Sequence, residues 1–369
     1  MLSSMQADRL RLLHLEHTIS ALRAEQAVVQ ARLDAYKYPV LTLPTEITSE
    51  IFINFLPTYP EPPPLKGLAS PTMLTHVCRK WREVALATPA LWRAIKLGDP
   101  DIRHEQVRRI SDAWIRRSGS LPLSIVINTN NRDFLHEIFT EPLSMATERW
   151  EHLNLWVSLP CLPEIGAPLP MLRSLEFAVS TVGDVFTFYE APQLRNVILR
   201  GRISSFVVLP WMQLTSLTMN YGGVNKIVQI LTQTPNLIQC ALSLVSTGDT
   251  DLDDLSAEGL PDIPLPRLES LVVTDWTFRQ TVPGFHLLQS FTVPSLRRLE
   301  VHELLLGTDP IYQLESFISN SRCALQEVCI WINDDHTTDD DDTYRSAFPS
   351  IPTFSFSTTH DESDSEDED

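Results

Sequence analysis

PMLRSLEF at residues 170–177 and PQLRNVIL at 192–199 carry one pattern, a proline followed by apolar-x-x-apolar-x-apolar. In the first copy the apolar positions are Leu172, Leu175 and Phe177, and in the second Leu194, Val197 and Leu199. The last two members alternate as one face of a β-strand does. The unit recurs at Trp150/Leu153/Leu155, Leu214/Leu217/Met219, Leu237/Cys240/Leu242, Leu268/Leu271/Val273, Leu296/Leu299/Val301 and Leu325/Val328/Ile330. Its first members are spaced 22, 22, 20, 23, 31, 28 and 29 residues apart. One short strand cannot bury its apolar side alone, so units at such a period stack and share a continuous core. The longest step holds an extra loop, GDTDLDDLSAEGLPDIPLP (248–266). Unrelated strands of a β-sandwich are the alternative, and the spacings make it the poorer account.

Alternation also says which residues point away from that core. The outward set includes His152, Asn154, Trp156, Glu176, Ile198, Arg200, Asn220, Val272, Arg298, Glu300, His302 and Trp331. Trp156, Glu176, Arg200, Arg298, Glu300 and Trp331 are the candidate target-binding residues, because aromatic and arginine side chains anchor interfaces. Packing of either tryptophan under a flanking loop is an equal reading. Upstream, Val107, Ile110 and Trp114 share a helix face, and Leu121, Leu123, Ile125 and Ile127 alternate towards a strand.

Residues 40–95 read differently. In LTLPTEITSEIFINFL, Pro44 suits a first helical turn, and Ile47, Ile51 and Phe55 recur every four residues beside Phe52. A proline-laden stretch, PTYPEPPPLKGLASPT, cannot be helix and is expected to loop out. MLTHVCRKWREVALA is then expected as one helix, with Leu74, Val77, Cys78, Trp81, Val84 and Ala85 on one face. Pro89-Ala90-Leu91-Trp92 starts a further turn. These stripes carry more apolar surface than so small a bundle can hide, which points to a protein-binding surface.

Leu43-Pro44-x-Glu46-Ile47-x-x-x-Ile51-Phe52, Val77-Cys78-Arg79-x-Trp81-Arg82 and Pro89-x-Leu91-Trp92, in that order, resemble the F-box motif of fungal F-box proteins. The resemblance covers about 50 residues, and the proline-rich insertion is its departure. It implies that Leu43, Pro44, Ile47 and Ile51 contact a Skp-type linker subunit and through it a cullin. Phe52, Val77, Cys78, Trp81, Leu91 and Trp92 would then hold the motif's helices together. The repeats resemble the degenerate leucine-rich repeats that often follow an F-box, although the asparagine or cysteine expected after each strand is mostly missing.

At the N-terminus, residues 1–38 read as one amphipathic helix ended by Pro39. Met5, Leu12, Ile19 and Leu33 fall at position a of a heptad, and Leu15, Leu22, Val29 and Tyr36 at d. Gln26 is the polar interior a position, and Asp8 spoils the first d. Self-association through residues 5–36 and folding back onto the body are both open. The formal charge is −18, yet 13 acidic residues and a single basic one lie from Asp334 onward, leaving 34 acidic and 28 basic elsewhere. A body so near balance has no basic footprint for nucleic acid. DDHTTDDDD and HDESDSEDED are expected to be a disordered acidic tail, with Ser363 and Ser365 in a setting suited to an acidophilic kinase.

The remaining expectations exclude chemistry. No apolar run approaches the ~20 residues of a membrane span, and charge appears too early in MLSSMQADRL for a secretory signal. Cys78, Cys161, Cys240, Cys323 and Cys329 are scattered without ligand or disulfide spacing, which points to a reducing compartment, cytoplasm or nucleus. Nucleotide-binding, metalloprotease and serine-hydrolase motifs are absent, so no enzyme, metal or cofactor is expected. The expected fold is α+β with repeats: a helix (1–38), an F-box (40–95), an α/β leucine-rich-repeat-like solenoid (100–332) and an acidic tail (333–369). The expected role is a substrate-recognition adaptor of a Skp–cullin–F-box ubiquitin ligase, with a non-catalytic interaction scaffold as the alternative.

Overall fold

A computed structural model describes residues 2–35, 39–98, 104–129, 131–140, 143–157, 167–179, 186–188, 190–201, 207–222, 224–244, 260–275, 287–332 and 338–358. Within them the Pro-x-apolar units build one recurrent turn. The Leu172, Leu194, Leu237, Leu268 and Leu296 amides donate to the carbonyls of Leu169, Ala191, Thr234, Leu265 and Val293, three residues back. Proline stands second in each of these turns, where its fixed φ suits the bend. The first apolar residue then drops into the core, and the chain runs on as a strand.

Eleven strands follow from this and from the flanks: β1 (Ala94–Leu97), β2 (Leu123–Thr129), β3 (Trp150–Val157), β4 (Ser174–Val179), β5 (Asn196–Arg200), β6 (Ser216–Gly222), β7 (Gln239–Leu244), β8 (Ser270–Asp275), β9 (Arg298–His302), β10 (Glu327–Ile332) and β11 (Thr353–Thr358). They form one parallel sheet whose spatial order is the chain order. The fold is thus α+β, with a long parallel sheet and an N-terminal helix. Parallel crossovers are right-handed, so crossovers that all step the same way return over the same face. Burial agrees: Leu153, Leu155, Leu175, Phe177, Val197, Leu199, Leu271, Val273, Val328 and Ile330 are buried, while the alternate residues form a partly exposed face. Each expected unit from Trp150 to Ile330 supplies a strand.

Helices α1 (Leu2–Ala35), α2 (Thr45–Phe55), α3 (Pro71–Val77) and α4 (Arg79–Leu86) precede the sheet. Returns between strands use α5 (His104–Arg117), α6 (Arg132–Thr140), α7 (Val224–Leu231), α8 (Pro310–Ser321) and α9 (Thr338–Ala347). In α1 every described side chain, from Met5 to Ala35, is exposed, so the helix does not fold back onto the body. Its last expected seam residue, Tyr36, lies outside the described residues.

Four expectations need correction. The stretch around Val77 and Cys78 is two helices, because Cys78 is extended (φ −156°, ψ 171°) and its Sγ accepts from the Trp81 amide. Arg82 Nε takes the Thr75 carbonyl freed by that break, at 2.7 Å. Val77 is therefore exposed and Cys78 is a cap, so neither belongs to the buried core.

The proline-rich stretch does not loop out. Pro63, Leu65 and Ser70 are buried, and Ser70 caps α3 while donating to the Leu65 carbonyl at 3.0 Å. Ser124 on β2 donates to the Pro60 carbonyl at 2.6 Å, and Tyr59 reaches β3. The segment is a strap from the helices onto the sheet. The boundary expected near residue 95 vanishes as well, since the turn at Pro89–Trp92 runs straight into β1. Trp92 and Trp114 meet edge to face with centroids 4.9 Å apart, tying that turn to α5. At Gly98, φ is 106° and any Cβ would collide with the Asn128 carbonyl, so β1 can close against β2 only with glycine there.

Finally, part of the expected tail is core. Tyr344, Phe348 and Ile351 are buried, Phe348 stacks on Phe354 at 5.9 Å, and β11 pairs with β10. The Ile351 amide donates to the Phe348 carbonyl across Pro349, the same turn as in the upstream units. Residues 359–369, with Ser363 and Ser365, and most of the acidic loop at 248–266 lie outside the described residues.

Candidate functional site

Two surfaces gather the candidate residues. The first is the outer side of α2. Pro44 precedes its first residue, and both the Thr48 amide and the Thr48 hydroxyl donate to the Pro44 carbonyl at 3.0 Å. The inner side is fixed by Phe52, 1% exposed, whose ring meets Trp81 edge-on at 5.0 Å. Leu91 and Trp92 are buried beneath, and Trp92 Nε1 donates to the Ala85 carbonyl at 2.9 Å. With that side anchored, Ile47, Ile51 and Phe55 face solvent at 49%, 51% and 49% exposure. Pro44 is exposed and Leu43 half-buried at the same end.

Lys80 sets the approach to this surface. Its ammonium donates to the carbonyls of Leu41 and Leu43 at 2.7 and 2.8 Å, pinning the chain just before Pro44. Sequence reasoning passed over Lys80; the only signal was a basic residue inside the Cys78–Trp81 turn.

The strap's side chains join this unit to the sheet. The Tyr59 hydroxyl donates to Glu151 Oε2 at 2.9 Å, and the Arg93 guanidinium lies 3.8 Å over the Tyr59 ring. The His152 ring packs edge-on against Tyr59 at 5.4 Å. Burial, followed by the bond to the Glu151 carboxylate, pushes the Tyr59 phenol well above its ordinary value. Burial likewise lowers His152, outweighing the nearby Glu151 charge.

The second surface is the open face of the sheet. Trp156 is 41% exposed, and the Arg200 guanidinium sits 5.4 Å from its ring. Arg200 Nε donates to Glu176 Oε1 at 2.5 Å, and Asn154 Nδ2 to Glu176 Oε2 at 2.7 Å. Glu176 thus organises three adjacent strands, while Asn154 Oδ1 is buried with no hydrogen-bond partner among the described residues. Further along, Arg298 bonds Glu300 and lies 3.6 Å from Glu327. The Glu300 hydrogen bond and charge raise Arg298 above its ordinary value. Trp331 is half-buried, and its Nε1 lacks a partner among the described residues.

Trp156 and Arg200 come together, as do Arg298 and Glu300, but the two groups lie on strands well separated in the sheet. His302 is corrected: it is buried, and its Nδ1 accepts from the Leu304 amide where the chain turns after β9. Outward alternation also gave too little weight to a polar row across the sheet, Ser124, His152, Ser174, Asn196, Ser216, Gln239 and Ser270.

Among the described residues no group of three or more His, Cys, Asp or Glu is placed to hold a metal ion, and no helix is long and apolar enough to cross a membrane. No family model matches the chain, and neither a curated protein nor a solved structure matches it.

Proposed function

We propose that this chain is a substrate-recognition adaptor of a Skp–cullin–F-box ubiquitin ligase. The observation that carries the reading is the α2 stripe. Ile47 and Ile51 stand half exposed on a helix whose opposite side is anchored by Phe52, so their apolar surface lacks a cover within the unit. In this reading the stripe, with Leu43 and Pro44, meets the linker subunit and through it a cullin. The parallel sheet is read as a leucine-rich-repeat-like solenoid whose open face, around Trp156, Glu176 and Arg200, meets a protein target. The chain then acts by proximity, raising the target's effective concentration near a charged conjugating enzyme and contributing no reacting group.

The test is co-purification of the full chain with a Skp-type linker, beside Ile47→Asp/Ile51→Asp. Both positions are solvent-facing, so the variant keeps the wild-type thermal transition and loses the linker. A variant that retains the linker at wild-type yield overturns the proposal.

The exposed apolar side chains of α1 favour a second reading, a self-associating scaffold without ubiquitin transfer. Under it, the half-life of a bound partner is indifferent to loss of this chain.

A further inference from the structure

We propose that α1 pairs with α1 of a second copy as a parallel, in-register coiled coil, making the full chain a dimer. This does not rest on the ligase reading. The helix is 34 residues long, and Leu12, Leu15, Ile19, Leu22, Val29 and Leu33 are each about half exposed along one seam. With Gln26 counted in the seam, the spacing alternates between three and four residues, the repeat that keeps a seam against a partner helix. The body of the same chain does not cover it.

Charge and polarity choose the occupant and its direction. With Leu12 and Ile19 at a, Arg11 falls at g and Glu16 at e. In a parallel pair g faces the following e of the other helix, so Arg11 of each copy meets Glu16 of the other. Within the described helix, Thr18 with Arg23 and Glu25 with Gln30 also contain no like charges, and Arg32 would face Lys37, which lies outside the described residues. An antiparallel pair that packs Ile19 on Leu22 sets Glu16 on Arg23 twice but also opposes Arg11 and Arg32 twice, so its charges offset each other, whereas the parallel pair keeps its attraction. Gln26 points the same way. In register, the two Gln26 amides meet and bond each other; antiparallel, each would be buried against Leu15. A single polar a residue is the known device for fixing register at some cost in stability. A dimer would present both candidate surfaces twice, so a partner with two sites gains avidity without a new contact.

Sedimentation of the full chain at micromolar concentration tests this. Twice the 41.8 kDa chain mass is expected, falling to one chain mass in Ile19→Asp/Leu22→Asp with the thermal transition of the body unchanged. Val29→Cys tests direction: on oxidation it forms a covalent dimer, which the wild type with its native cysteines does not. In the antiparallel register the two positions 29 would stand about 25 Å apart at ~1.5 Å per residue, too far to bridge. A wild-type chain sedimenting as a monomer overturns the proposal, as does a dimer that survives Ile19→Asp/Leu22→Asp. A dimer in which Val29→Cys crosslinks no more than wild type overturns the parallel register.

Discussion

Tyr59→Phe removes one hydroxyl from the strap, and its cost follows from what that hydroxyl does. It donates to Glu151, whose side chain is only 14% exposed and keeps Arg173 at 3.4 Å and His152 at 4.0 Å. A hydrogen bond to a charged group contributes about 1.5–3 kcal/mol. The remaining arginine softens the loss, so we expect about 1–2 kcal/mol. Tyr59→Ala also loses the Arg93 stacking and the His152 edge contact, bringing the cost to about 3 kcal/mol. The assay is urea unfolding of the full chain, run as a double-mutant cycle with Glu151→Gln. Coupling of about 1 kcal/mol is expected.

The phenol adds a pH signature. Its folded value is raised by burial and by Glu151, so the unfolded chain gives up this proton first, near pH 10. Stability from Tyr59 is complete below that pH and is lost as pH climbs toward the folded value. Wild type should therefore lose stability above about pH 10 more steeply than Tyr59→Phe. Additive single variants, or parallel alkaline curves, would refute the clamp.

Two further outcomes are expected. Complete burial pushes the Cys240 thiol up to about 12, so it should resist alkylation at neutral pH while half-exposed Cys329 is labelled; equal rates by mass spectrometry would contradict the packing. The same raised value means that Cys240's contribution to stability holds below its ordinary range, near pH 9, and erodes above it. Truncation after Ile332 should lower the thermal midpoint and promote aggregation, because it strips α9 and β11 and bares the edge of β10. Truncation after Thr358 should do neither, and equal behaviour of the two shortened chains would return residues 338–358 to the tail.

The sheet was legible because its signal is local. Each proline turn and each strand spans eight residues or so of sequence, and repetition supplied the check that one copy lacks. The final copy, Pro349-x-Ile351-x-x-Phe354-x-Phe356, has the same form but follows an acidic run whose composition reads as disorder. Composition averages over a window, and packing depends on the few apolar side chains inside it, here Tyr344, Phe348, Ile351, Phe354 and Phe356. Helix periodicity misled at Val77 and Cys78 for a related reason: the spacing suits a helix, yet Arg82 and the Cys78 cap make the break inexpensive. The strap could not be read at all. Its contacts, Tyr59 with Glu151 and Ser124 with Pro60, join residues 92 and 64 positions apart, and neither has a sequence period.

That strap changes what the molecule can do. A proline-rich loop left in solvent would leave α2 held to the sheet only through Phe52 on Trp81 and the turn at Trp92, a narrower and less rigid attachment. Tyr59, Arg93, Glu151 and Ser124 instead lock the insertion to β2 and β3, while Trp92 against Trp114 holds the last turn to α5. On the adaptor reading, a fixed geometry restricts which surface of a target faces the conjugating enzyme, where a less rigid attachment would offer more lysines at lower occupancy. Tyr59→Ala therefore separates binding from delivery: linker and target should both still bind, while the pattern of modified lysines on the target broadens. A pattern identical to wild type would mean that the strap serves stability alone.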